Sequence, residues 1–356
     1  MKIHPLLNDP QAVLIVHLPP SNPVCDQDYR RTAEKALAAM QIELEGENAV
    51  IKPNVTVGEL YADPDSGITT HPSFVWAMVD YLGQHGARQG GIYILEDPRN
   101  SNDSEPRHWR GTGYDEMAAQ AGVKLRCPNA HSCVKKPVPK PLARSELPVS
   151  RLAVAPNTVL FNVPKLKTHN LALTTLCLKN LMGVVDVFER HFCAQAWQEL
   201  PEEVRSNPRP RHEWLDRATH KRWQEGLARR LVDTARVVTP QLNLVEGVVG
   251  REGTGFQRGL NRSLGLAVAG INMVAVDSVA SYLMGFDPQQ LIYLRVAAAA
   301  GLGTNDLAQL RIYAVQDEAI VPCPDVDALR AQPPFRVISG LAGEENWLDE
   351  AKVFAL

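Results

Sequence analysis

Short apolar runs alternate with helix-spaced apolar stripes along the first 125 residues. Residues 12–18 (AVLIVHL) read as a strand, 29–40 as a helix and 49–52 as a short buried strand. A helix is predicted over 72–85, with Pro72 in its first turn after Thr70-His71, then a strand over 91–96 and a helix over 114–121 closed by Gly122. Residues 137–148 hold four prolines and read as an extended linker. Further on come a strand at 159–163, a polar and mostly helical insertion over 186–231, and a strand at 242–249 followed by glycines 250, 253, 255 and 259. Helices over 273–283 and 288–299 and a strand at 310–315 complete the pattern. Strand and helix in alternation predict an α/β fold with mostly parallel sheets covered by helices. Length suggests two domains or one large α/β domain with an insertion, and the expectation taken is two lobes, 1–150 and 151–356, with a ligand cleft between them and the insertion as a lid.

Composition supports a packed core, with 45% hydrophobic and 22% charged residues. A formal net charge of -3 leaves polyanion binding to a local patch. The most apolar later stretch, 264–286, is interrupted by Asn272 and Asp277 and is too polar to span a bilayer, so a soluble, cytoplasmic chain is expected with no membrane partner. Six cysteines stand at 25, 127, 133, 177, 193 and 323 without a CxxC pair, so no iron–sulfur cluster is encoded. Cys127, His131 and Cys133 lie close in sequence but lack a fourth metal ligand.

The densest chemistry lies in VPKLKTHNLALTTLCLKNLMG, residues 163–183, which holds four basic groups and no acid. Strand alternation puts Lys165, Lys167 and His169 on one side, just beyond the carboxyl end of a strand, where α/β sheets bind ligands. Lys165 and Lys167 are expected to bind an anion and His169 to act as general acid/base. Asn170 is expected to cap a helix running to Lys179, which would stand about 15 Å from His169 and serve as electrostatic stabiliser or covalent attachment point. The alternative is a solvated lysine run, against which the apolar setting of Lys179 speaks. Lys52 and Asn54 follow another strand in the same way and join the substrate-binding set. His71 sits at a helix N-terminus, as an anion contact or simply as part of a good helix start. A strand ends at Glu96-Asp97, and the loop behind it adds Arg107, His108 and Arg110. Glu246 closes a strand beside glycines whose spacing does not fit a dinucleotide fingerprint, and it reads as a general base or metal ligand. Residues 205–223, basic and carrying Trp214 and Trp223, could face nucleic acid, but a solvated helical face is the simpler reading.

In order, VIKPN, GITTHP…VDYL, NVPKLKTH…LKNLMGVV, LNLVEGVVGREGTG and AVDSVASYLMGFDP resemble the family described as domain of unknown function three hundred and sixty-two, over roughly residues 48–304. Members are often joined to ferredoxin modules, and this chain has no such cysteines. A more distant likeness is to nickel-dependent lactate racemases, which have two α/β lobes, a TxP helix start and a histidine followed ten residues later by a lysine. That likeness implies proton or hydride movement at His169 and a nickel–nucleotide cofactor tethered at Lys179. Between the two, however, this chain reads NLALTTLCL where the racemases are glycine-rich. The expected function is an enzyme, an isomerase or lyase, acting on a small anionic substrate, most simply a carboxylate, by acid/base chemistry at carbon. The alternative is a binding or carrier module for an anionic cofactor or metal complex. Nucleic acid is the least expected partner, and a homo-oligomer stays open.

Overall fold

The computed structural model describes residues 1–56, 66–98, 106–206, 217–255, 258–339 and 346–348. In chain order its elements are β1 (Ala12–His17), α1 (Asp26–Met40), β2 (Asn48–Pro53), α2 (Pro72–Gln84), β3 (Ile92–Leu95), α3 (Tyr114–Ala121), β4 (Lys124–Arg126), β5 (Cys133–Pro137), β6 (Glu146–Ser150), β7 (Thr158–Val163), β8 (Lys165–His169) and β9 (Leu173–Thr175). There follow α4 (Cys177–Asn180), α5 (Phe192–Gln198), α6 (Glu202–Arg205), α7 (Arg217–Val237), β10 (Leu242–Arg251), β11 (Asn261–Gly270), α8 (Met273–Met284), α9 (Ile292–Ala299), β12 (Arg311–Gln316) and β13 (Ala319–Pro322).

One mostly parallel sheet runs β13-β12-β1-β11-β10-β7-β2-β3-β4, with β8 attached to β10 and β9 to β8. Both halves of the chain feed it: β2 lies between β7 and β3, and β1 between β11 and β12, so the boundary expected at residue 150 runs through a continuous sheet. Period-two alternation sorts successive strand residues onto two faces. Val13, Ile15, Val50 and Leu160 point into a core shared with Leu178, Phe192, Leu227, Val276 and Leu294 of α4, α5, α7, α8 and α9. Leu14, Val16, Ile51 and Phe161 point into the other core, with Leu37, Phe74 and Met117 of α1, α2 and α3. Both faces are therefore covered, which explains why these strands read as continuous apolar runs. Trp223, Leu227 and Leu231 of α7 belong to the first core, so the described part of the 186–231 insertion forms a packed layer over the sheet. Trp214 falls outside the described residues.

Three expectations are corrected. Residues 137–148 are not a linker: β5 and β6 pair antiparallel from Cys133↔Ser150 to Pro137↔Glu146, because prolines are tolerated in a two-stranded ribbon with no third strand to serve. The strand β11 was hidden inside the apolar stretch 264–286, where a strand and a helix run together almost without polar punctuation. And no helix runs from Asn170 to Lys179. β8 turns back on itself at Leu173 (φ 68°), β9 pairs Lys167↔Thr175, and only the four residues of α4 are helical. Two adjacent threonines, β-branched, suit the strand better than the helix interior.

Candidate functional site

The carboxyl ends of β2, β3 and β7, with the β10 positions beside them, converge on one edge of the sheet, and the polar side chains gathered there are buried. β8 leaves β7 after Pro164 and pairs in parallel with β10, setting Lys165 opposite Glu246. The Lys165 Nζ donates to Glu246 Oε2 at 2.5 Å, and neither side chain reaches solvent. A second pair lies beside it: Lys52 Nζ donates to Glu96 Oε2 at 2.6 Å, to the Pro53 carbonyl at 2.6 Å and to Asn180 Oδ1 at 3.3 Å. Burial pulls both lysines below their ordinary value, and the facing carboxylates pull the other way. Glu96 is held in turn by the Asp97 N–H at 2.8 Å and by Arg190 at 3.5 Å, and Arg190 also donates to Asp97 at 3.2 Å. Lys52 and Lys165 thus meet internal carboxylates, where the sequence led us to expect direct contact with an external anion. The glycine of the LMG sequence follows from the same crowding: a Cβ on Gly183 would lie 2.5 Å from Lys52 Cε and 2.7 Å from Glu96 Oε1.

His71 closes the Lys165–Glu246 pair from above. Its backbone N–H donates to Glu246 Oε2 at 3.2 Å, and the Val248 N–H donates to Oε1 at 2.9 Å. The imidazole stacks on Tyr29 at 3.7 Å and 11°, and the Lys165 Nζ lies 5.4 Å from the same phenol ring. Nδ1 caps α2 by accepting from Ser73 N at 3.1 Å, and Nε2 lies 3.7 Å from Asp26 Oδ1. Burial, reinforced by the Lys165 charge, pushes the His71 pKa down to about 3, so the ring is neutral at pH 7.

Lys167 is a different kind of lysine. Its Nζ donates to the Ile68 carbonyl at 2.9 Å and to Thr56 Oγ1 at 3.3 Å, and among the described residues no carboxylate stands within ion-pair distance. Burial pulls its pKa well below the ordinary lysine value, and the charges of Lys179, Lys165 and Arg251 add to this against a weaker opposing pull from Glu96. Lys179 is half-buried and makes no hydrogen bond or ion pair among the described residues. Its place is set from below by Asp277, whose carboxylate accepts from the N–H groups of Cys177 at 2.7 Å and Leu178 at 3.0 Å and so anchors α4. The last residue of that helix, Asn180, donates to the Lys52 carbonyl at 3.0 Å and to Asn162 Oδ1 at 2.8 Å. Asn162 passes the chain of amides on to Asn243 at 2.9 Å.

Of the residues singled out from sequence, Lys52, Lys165, Glu246 and His71 are joined to the buried network by direct bonds. Asn54 reaches it through Thr70, whose Oγ1 accepts the Asn54 N–H at 3.0 Å, and through the Thr56 hydroxyl shared with Lys167. Lys179 acts on Lys167 by charge. His169 lies two residues beyond Lys167 at the β8–β9 turn, and its Nδ1 accepts from Leu171 N at 3.0 Å and Ala172 N at 3.2 Å. That geometry selects the tautomer with the proton on Nε2. Sequence reasoning missed Arg190, Asn180, Asn162, Tyr29 and Asp277. The one legible signal was Asp277, a carboxylate inside an otherwise apolar helix.

Among the described residues no group of three or more His, Cys, Asp and Glu side chains is placed to hold a metal ion. Cys127 and Cys133 are buried thiols pushed up to about 12, mainly by burial. The donor set does not fit a nickel centre tethered at Lys179. His169 turns Nδ1 to backbone N–H groups, and the charge of Lys179 acts on a neighbouring lysine, Lys167. No described helix is long and apolar enough to cross a membrane.

The chain is 29% identical over 150 residues to Thylakoid-associated protein sll1697 of Synechocystis sp., across 42% of this chain. The match covers 39% of that protein, so this chain spans less than half of the relative's length. Residues 49–282 match the family model described as Domain of unknown function (DUF362), and that span contains every residue of the buried network except Tyr29. With more than half of its length inside the match, the chain belongs to the DUF362 family.

Proposed function

We propose that the protein is a cytoplasmic enzyme of the isomerase or lyase class, acting on a small carboxylate by proton transfer at carbon, with the neutral amine of Lys167 as its reactive group. What supports this is the hydrogen-bond balance at Lys167. A neutral amine has two N–H donors and one lone pair, and the Nζ meets two acceptors, Ile68 O and Thr56 Oγ1. An ammonium would carry a third donor with no acceptor among the described residues, in a buried place flanked by cations. A lysine so held is a base or nucleophile at neutral pH. The half-buried Lys179 is then the group that holds the substrate carboxylate. The Lys52–Glu96 and Lys165–Glu246 pairs serve as a rigid floor that fixes Lys167 in place.

The test needs no knowledge of the product. The protein is incubated in D2O with a panel of 2-hydroxy, 2-oxo, 3-oxo and unsaturated short-chain carboxylates, and deuterium entry at carbon is followed by proton NMR. Exchange for at least one acid, lost in Lys167→Met and weakened in Lys179→Ala, is the expected result. A rate no greater than that of Lys167→Met across the whole panel would refute the assignment.

A further inference from the structure

We infer that Lys167 acts covalently, forming an imine with the carbonyl carbon of an oxo acid whose carboxylate rests against Lys179. This deepens the proposed function and rests on its assignment of Lys167 as the reactive amine. The geometry carries it in three parts. First, both amine protons are engaged by acceptors on one side, Ile68 O and Thr56 Oγ1, which leaves the lone pair unengaged among the described residues. Second, the amine lies one side chain in from the surface, since Thr56 is exposed while Lys167 is buried. In this reading a carbonyl carbon approaches Nζ past the exposed Thr56. Third, the β8–β9 hairpin sets Thr175 opposite Lys167, and α4 follows with Lys179 close enough for its charge to act on Lys167. A carboxylate bound at Lys179 therefore sets a neighbouring carbonyl next to the lone pair. The lowered pKa of Lys167 agrees with this and shares its cause, burial among other cations.

The step balances. The lone pair of Nζ attacks the carbonyl carbon to give a carbinolamine. The C–O bond then breaks, the oxygen leaves as water with both amine protons, and a C=N bond remains. One proton from solvent makes the iminium, whose charge is offset by the substrate's own carboxylate. The iminium withdraws electrons from the neighbouring C–H bond. That is the bond whose proton exchanges in the proposed reaction, and water accepts it as the enamine forms.

Reductive trapping tests the inference on the wild-type chain. Pyruvate, 2-oxobutyrate and acetoacetate are added singly at pH 6.5 with sodium cyanoborohydride, which supplies the hydride that converts an iminium to a secondary amine. Labelled peptides are then mapped by mass spectrometry. At this pH an ordinary lysine is unprotonated to only about one part in ten thousand, and each unit of lowered pKa raises that fraction about tenfold. Label at Lys167 at least about tenfold above the exposed lysines Lys135 and Lys140 is expected for one of the acids, as is a loss of about tenfold or more in Lys179→Ala. Because the site is read in the wild-type chain, the inference does not depend on whether Lys167→Met folds. Label confined to exposed lysines, or none at Lys167 with any of the three acids, overturns the inference. Deuterium exchange without label at Lys167 leaves the proton-transfer reading standing and refutes the imine. Label without exchange supports the imine and refutes proton transfer as its outcome.

Discussion

Replacing Lys165 separates a structural ion pair from a substrate contact. Lys165 and Glu246 are both fully buried and 2.5 Å apart, and the carboxylate has only two further donors, the N–H groups of His71 and Val248. Lys165→Met keeps most of the side-chain volume and leaves that carboxylate without its cation. Breaking a buried pair from one side costs about 3–5 kcal/mol, because the remaining charge stays desolvated. Glu246→Gln strands the ammonium over the Tyr29 ring at a similar cost. The double variant Lys165→Met/Glu246→Gln buries no charge, so it should lose less than the two singles added together, by at least about 2 kcal/mol. Urea unfolding, followed by circular dichroism and by tryptophan fluorescence, measures all four proteins, and agreement between the probes licenses the two-state treatment. Were Lys165 mainly a substrate contact, Lys165→Met would shift stability by less than about 1 kcal/mol, or the two losses would simply add. Either result refutes the buried-pair account.

Other expectations follow from the same network. His71 titrates at about 3 when folded and 6.5 when unfolded, so the unfolded chain binds the extra proton in between and stability falls as pH drops through that window. Between pH 7 and pH 4 this amounts to about 3 kcal/mol, and His71→Asn, which keeps a capping oxygen but cannot titrate, should reduce the difference in urea midpoint between those two pH values. Gly183→Ala drives a methyl to within 2.6 Å of the Lys52 Nζ, which three acceptors hold in place, and should cost about 1–3 kcal/mol in a thermal melt. Asp277 runs the opposite way to His71. Burial raises its pKa to about 7 from 3.8, so the folded state holds the extra proton in that range and stability falls as pH rises through it. Asp277→Asn should abolish that slope, and Asp277→Ala, which leaves the Cys177 and Leu178 N–H groups unsatisfied, should cost about 1–3 kcal/mol more than Asn in the same urea titration.

The elements that stood out in the sequence are those whose local pattern and tertiary role agree. The helix over 114–121 is legible to the residue because a glycine with positive φ ends it, and β1, β2 and β7 are legible to within one residue at each end because strands buried on both faces show unbroken apolar runs. β8–β9 was misjudged because an apolar run holding threonines fits helix and strand alike, and only pairing with Lys167-Thr168-His169 decides between them. At the site, strand-end position drew attention to Lys52, Lys165 and Glu246, and the structure gives the first two carboxylate partners, Glu96 and Glu246. Which lysine finds a carboxylate is a matter of register between strands far apart in sequence. Glu246 falls opposite Lys165 and Glu96 reaches Lys52, while the residue opposite Lys167 is Arg251. Arg190 was hidden for the converse reason: it sits in a polar stretch whose burial depends on Glu96 and Asp97 being there to receive it.

The contrast among the lysines bears on function more than any one of them does. Three lysine ammonium or amine groups lie buried along a single sheet edge, at an energetic cost that a stability-driven core of this size, with two apolar faces already filled, has no need to incur. Two of them are neutralised by carboxylates and closed over by Gly183 and His71. The third, Lys167, has two neutral acceptors and neighbours of its own sign. If the lysines served only to hold the strands together, Lys167 would be the worst-designed member, since an apolar side chain there would avoid both its desolvation and its repulsion from Lys179. On the proposed reading, the two paired lysines are the support for the third, whose pKa burial and neighbouring cations lower. They occupy Glu96 and Glu246, and the charge of Lys165 adds to the pull that lowers the Lys167 pKa. A site built this way loses its chemistry when a carboxylate is supplied. Introducing one beside Lys167, as Thr56→Glu, should restore an ordinary ammonium and suppress both deuterium exchange and reductive trapping at pH 6.5 while leaving the fold intact by circular dichroism, and full retention of both activities would show that the unprotonated amine is not what the edge is built to provide.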